Sequence, residues 1–171
     1  MGKPIVQKYL DSGSLIVKIH INGDEIPNTL IYLGVTINMM RKHTMDQLKL
    51  PNLKYAPILL QLADRSIIKA NGILNYVLVS LDSLEYPVDF MILTPKNTLG
   101  GHPLILGRPW LATTDAFISC KYCDMNICYG SYTKKFTLYP PAKAITDIIS
   151  EFCIEDDDEE FENIQAIFTI S

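Results

Sequence analysis

No stretch of this 171-residue chain approaches the roughly 20 consecutive apolar residues needed to span a bilayer. The opening Met1-Gly2-Lys3-Pro4 holds no apolar signal core, and Val6 stands where a myristoylation signal requires Ser or Thr. No membrane association is therefore expected, and the cytoplasm is the default compartment. Cysteines number only four, late and unevenly spaced, which argues against a disulfide framework and for reduced thiols. Histidine is scarcer still. His20, His43 and His102 lie singly, with no Ser or Cys nucleophile arranged around them, so surface or hydrogen-bonded roles are expected. The C-terminal end has no base at all. All 15 Lys and Arg precede Glu151, against 11 Asp and Glu, which leaves that body at about +4. Residues 151–162 then add eight acidic residues. The acidic run 155–160 reads as a solvated tail that repels nucleic acid, and no basic-aromatic surface for nucleic acid is present.

What the chain has is Leu, Ile and Val in quantity, enough for one domain with a real core. No helical face repeats for long, so the expected class is mostly β. Residues 15–21 alternate, with Leu15, Val17, Ile19 and Ile21 on one face and Lys18 and His20 on the other. Asn22-Gly23-Asp24 supplies the positive φ angles of a tight hairpin, and the return strand 26–31 runs into Tyr32-Leu33-Gly34. Residues 39–48 are predicted to form a short helix that Pro51 ends. Strands are predicted at 58–62 and 67–69, around the polar turn Ala63-Asp64-Arg65-Ser66, and again at 73–81 and 86–93. After a loop at 94–103, Leu104-Ile105-Leu106 reads as a buried strand, and three more are expected near Phe117, Ile127 and Phe136. Pro140-Pro141 closes the compact part. The expected organisation is a lead-in at 1–13, a domain at 14–141 and an acidic, mobile tail at 142–171, with one helix at 142–152. No internal repeat is visible.

Three segments, in order, carry a resemblance. The first is Ile31-Tyr32-Leu33-Gly34-Val35-Thr36-Ile37-Asn38, the second Leu60-Gln61-Leu62-Ala63-Asp64-Arg65-Ser66, and the third Ile105-Leu106-Gly107-Arg108-Pro109-Trp110-Leu111-Ala112-Thr113. Together with Tyr86-Pro87-Val88-Asp89-Phe90, they resemble the retropepsin-like aspartic protease domain of gypsy-type LTR retrotransposon polyproteins, especially the plant branch. That branch commonly reads apolar-Asp-Leu-Gly-Ala-Ser-Ile-Asn at the first segment. The likeness covers roughly residues 11–142. It implies a closed β-barrel (the acid protease half-fold) with one or two short helices. It also implies a site built from Tyr32, Leu33, Gly34 and Thr36, a substrate flap at Ala63, Asp64, Arg65 and Ser66, and a wall at Leu106 and Gly107. Further implications are a homodimer through the active-site turn, a peptide or polyprotein substrate, and no cofactor.

The resemblance places Tyr32 where the family has its catalytic aspartate. Aspartic proteolysis needs two carboxylates sharing one proton, one to take a proton from the attacking water and one to donate to the substrate carbonyl. With one turn per chain, a symmetric dimer puts the same residue in both halves. Tyrosine at this position removes both carboxylates. A phenol ordinarily titrates near pH ~10 and cannot share that role at neutral pH. Losing one general base typically costs about 10²- to 10⁴-fold in rate. Gly34 permits close backbone approach. Thr36 is expected to hydrogen-bond across a dimer or to cap the following helix, and Val35, in place of Ala, to crowd the cleft.

Asp11-Ser12-Gly13 spells the aspartic protease triplet, but nothing upstream of Asp11 can build the hairpin that precedes a catalytic turn, so it reads as an ordinary turn. Cys120-Lys121-Tyr122-Cys123 with Cys128 is similar to the start of a zinc knuckle. It lacks the His and fourth Cys at knuckle spacing, so no metal is expected and structural thiols are favoured. Arg108 is expected to be a structural ion-pair partner, and Trp110 to pack the core. Three functions follow. The first is a retrotransposon-derived retropepsin-like domain, inactive through Tyr32. The second is an active aspartic endopeptidase that processes a retroelement polyprotein with another carboxylate, such as Asp11. The third is a peptide-binding or dimerisation module whose acidic tail docks a basic partner.

Overall fold

The structure is a computed structural model, and it describes residues 3–5, 13–61, 67–94 and 101–138. Strands β1 (Leu15–Ile21) and β2 (Asp24–Ile31) form a hairpin with Ile21 opposite Asp24. Its two loop residues, Asn22 at φ 54° and Gly23 at φ 86°, have the double positive φ of the tight turn whose twist matches the strands. Val17, Ile19 and Ile21 point inward as the alternation requires.

β3 (Asn38–Arg41) and α1 (Lys42–Gln47) follow the turn after β2. The helix expected at 39–48 is therefore only half right. Met39, Met40 and Arg41 are strand, because β3 lies between β7 on one side and β8 on the other and pairs with both. Local sequence holds no record of those partners. Next come β4 (Leu59–Gln61) and β5 (Ile67–Lys69), two antiparallel arms. The turn between them, with Ala63, Asp64, Arg65 and Ser66, lies outside the described residues, as do Asp11 and the segment 142–171.

β6 (Gly72–Leu81) and β7 (Leu84–Leu93) make the longest hairpin. β8 (Leu104–Leu106) runs parallel to β2 and antiparallel to β3, and all three of its residues are buried. α2 (Arg108–Thr113) follows at once, with Pro109 in its first turn where a missing N–H costs nothing. The order β1-β2-β8-β3-β7-β6 closes into a barrel where His20 pairs with Ser80. β9 (Ala116–Ser119), β10 (Asp124–Tyr129) and β11 (Tyr132–Thr137) form a separate three-stranded sheet. The fold is mostly β with two short helices.

The main core runs from Val17 to Leu138 and includes Phe90, Ile92, Met125, Ile127 and Trp110, which meets Tyr86 edge-on at 6.4 Å between ring centres. Trp110 thus packs the core as expected. A second, smaller cluster (Val35, Met39, Leu60, Ala70, Met91, Leu93 and Ile105) lies under the β4–β5 arms. No helix among the described residues is long and apolar enough to cross a membrane.

Candidate functional site

The turn between β2 and β3 is held from behind by the β8–α2 junction. The Tyr32 N–H donates to the Leu106 carbonyl at 2.9 Å, continuing the β2–β8 ladder one residue past the strand. The Arg108 N–H donates to the Val35 carbonyl at 3.0 Å. Between these bonds Gly107 presses against the turn. A methyl group there would sit 2.3 Å from the Ile37 carbonyl oxygen and 2.9 Å from a Val35 methyl carbon. Only glycine permits this approach.

Asn38, buried at the start of β3, secures the same junction from its side chain. Its Oδ1 accepts from the Gly107 N–H at 2.9 Å, and its Nδ2 donates to the Asp89 carbonyl at 3.2 Å. One amide therefore ties the turn to β7 and to β8. The sequence marked Asn38 only as the last position of the first segment and gave it no role. Its signal was a polar residue opening an apolar strand.

Tyr32 is half-buried and packs against the second cluster with Leu30, Ile37, Ile58 and Ile68. Its ring lies over Gly34, where an added methyl would stand 2.8 to 3.0 Å from ring carbons and the hydroxyl oxygen. Leu33, 54% exposed, is the tip of the turn. Residues 32–38 contain no Asp or Glu.

The structure thus brings Tyr32, Leu33, Gly34 and Thr36 together with Leu106 and Gly107 on one wall. The β4–β5 arms share its cluster through Leu60. Other expectations are corrected. Val35 is fully buried against Gly107 and fills the wall rather than crowding the cleft. Thr36 caps no helix: a strand follows it, α1 has no side-chain cap, and the buried Thr36 hydroxyl has no partner among the described residues. Arg108 is exposed and forms no ion pair with the described residues. On the far side of the turn, a groove of about 470 Å³ runs between Thr36, Ile37, Tyr76, Asp89, Pro109 and Trp110.

Outside this wall, the Nδ1 of His102 pairs with the Asn28 carbonyl at 2.8 Å, and His20 lies 3.8 Å from Glu25. His43 is exposed. No group of three or more His, Cys, Asp or Glu among the described residues could hold a metal ion.

No family model and no curated protein matches the sequence. Solved structures do match in shape. The retroviral protease-like domain of Ddi1 from Leishmania major aligns with a TM-score of 0.52 and 19% identity, over 67% of this chain and 87% of that one. A retropepsin-like aspartic protease from Rickettsia conorii aligns with a TM-score of 0.49 and 16% identity, over 63% and 77%. At such identity the likeness speaks for fold alone. The chain has the retropepsin-like aspartic protease fold.

Proposed function

We propose that this chain is a retropepsin-like domain from a gypsy-type LTR retrotransposon polyprotein of the plant branch, in which Tyr32 stands at the catalytic aspartate and cleavage is lost. One observation carries this reading. Tyr32 closes β2 through its bond to Leu106 and lays its ring across Gly34, in a turn that offers no carboxylate. The water-activating dyad of an aspartic protease has no counterpart in these seven residues. A tyrosine hydroxyl is far too weak a base at neutral or acid pH to replace a shared-proton carboxylate pair.

What the fold retains is a peptide-binding frame. In this reading the cleft is walled by Leu106 and Gly107, and Ala63, Asp64, Arg65 and Ser66 serve as the substrate flap. The exposed Leu33 meets its twin in a second copy, so that a homodimer holds a peptide or polyprotein segment without cutting it. The functional unit is residues 14–141, with 1–13 as lead-in and 142–171 as an acidic tail.

The test compares wild type with Tyr32→Asp for cleavage of an unfolded protein near pH 5, with and without pepstatin. Cleavage by the aspartate variant alone, blocked by pepstatin, is the expected result. Pepstatin-sensitive cleavage by wild type would overturn the proposal and point to another carboxylate such as Asp11.

A further inference from the structure

We propose that Cys120 and Cys123 form a reversible thiol–disulfide site in the turn that joins β9 to β10. Ser119 pairs with Asp124, so the next two positions inward are Cys120 and Cys123, facing each other across the turn residues Lys121 and Tyr122. The Cα atoms at the ends of a four-residue turn lie within roughly 7 Å, which overlaps the roughly 4.4–6.8 Å span that a disulfide bridges. The thiol of Cys123 already points inward, its Sγ lying 3.8 Å from the Cys120 carbonyl oxygen.

Cys123 also holds φ at 55°. Of the eight non-glycine residues at positive φ among the described residues, five are Asn or Asp, which tolerate it. A cysteine there is unusual, and backbone strain of this kind tends to accumulate where a residue has a task. Cys120 is exposed and Cys123 half-buried, so the first can meet a soluble oxidant and the second can resolve the adduct. Cys128, near the far end of β10, is about 16 Å along the strand from Cys123 and too distant to join the exchange. Its Sγ lies 3.7 Å from the Thr133 hydroxyl.

The oxidant is a low-molecular-weight disulfide. The Cys120 thiolate attacks one of its sulfurs, the S–S bond breaks, and one small thiol leaves. The Cys123 thiolate then attacks the Cys120 sulfur of the mixed disulfide and expels the second small thiol. Two protons and two electrons leave the cysteine pair, and the small disulfide is reduced to two thiols.

The turn is wired to the rest of the body. The Cys123 carbonyl accepts from the Leu138 N–H at 3.1 Å, and the Leu138 carbonyl accepts from the Ile16 N–H at 3.1 Å. Ile16 in turn pairs with Leu30, two residues before Tyr32. Fixing Cys123 therefore fixes the point where the chain leaves the sheet, beside the strand pair that leads to the turn.

The experiment equilibrates the full chain in glutathione redox buffers, quenches with acid, alkylates the remaining thiols and maps the peptides. Cys120 and Cys123 are expected to escape alkylation together and to be found linked to each other, while Cys128 stays alkylatable. Closure should scale with the disulfide concentration divided by the square of the thiol concentration, and be about tenfold or more favoured over the same pair in urea. Cys123→Ser should trap Cys120 as a mixed disulfide with glutathione, and oxidation of wild type should slow amide exchange at Leu138. Persistent mixed disulfides on the wild-type pair would overturn the proposal. So would bonds from either residue to another cysteine, or reaction at Cys120 no more favourable than at Cys128.

Discussion

Two buried residues show how single side chains set the stability of this barrel. Asn38 satisfies the Gly107 N–H and the Asp89 carbonyl at once. Asn38→Leu keeps the volume but strands both groups, and should lower unfolding free energy by about 2–4 kcal/mol, measured by urea denaturation. Tyr86 is the opposite case. Its hydroxyl is buried with no partner among the described residues, so the hydroxyl costs desolvation and returns nothing. Tyr86→Phe should be neutral or stabilising, by up to about 1 kcal/mol. Burial pushes the Tyr86 phenol above its ordinary value, with Tyr129 and Cys128 adding to the rise. The native state therefore holds this proton more tightly than the unfolded chain. Its contribution is complete below the ordinary phenol range, near pH ~10, and is lost as pH climbs through the raised value. In parallel denaturations at pH 8 and pH 11, Tyr86→Phe should lose less stability than wild type across that interval.

Elements meet here by contacts that leave no room for adjustment. The β8–α2 junction sits against the turn between β2 and β3 at Gly107, with backbone oxygen on the far side. Gly107→Ala forces the two segments apart, which breaks the Arg108-to-Val35 and Gly107-to-Asn38 bonds together. It should cost about 3 kcal/mol or more, read as a lowered denaturation midpoint. The β6–β7 hairpin has a subtler device. A register shift between Leu74 and Val77 puts Tyr76 at φ 59°, and the Asp89 carboxylate accepts the Tyr76 N–H at 2.8 Å. The bulge was not legible in residues 73–81, which alternate well enough to read as a plain strand.

For the molecule as a whole, the barrel has no free edge, and the separate sheet is fastened to it through Met125, Ile127 and Leu138. The described core ends at Leu138. Residues 142–171 read from the sequence as an acidic tail without a continuing core pattern, so removing them is expected to leave the thermal midpoint of the barrel within about 2 °C of the full chain, as read by circular dichroism. A shortfall larger than the roughly 4 °C that about 1 kcal/mol produces in a domain of this size would show that the tail contributes to the core.

The sequence by itself determined the local events. Asn22-Gly23 set the first hairpin because two positive φ angles are cheap there. Alternation placed Val17, Ile19 and Ile21 inward, and the apolar run 104–106 marked a strand covered on both faces. The order of the three segments carried the fold. Tertiary structure alone decided that Met39 to Arg41 extend rather than coil, since their backbone partners lie more than fifty residues away. It also decided that Gly107 backs the turn, that Asn38 pins it and that the Tyr32 ring covers Gly34. The Gly107 and Asn38 contacts join segments distant in sequence, and the Tyr32 ring takes its place over Gly34 by packing on the second cluster. Hydrophobic periodicity encodes which face is buried without naming what it is buried against.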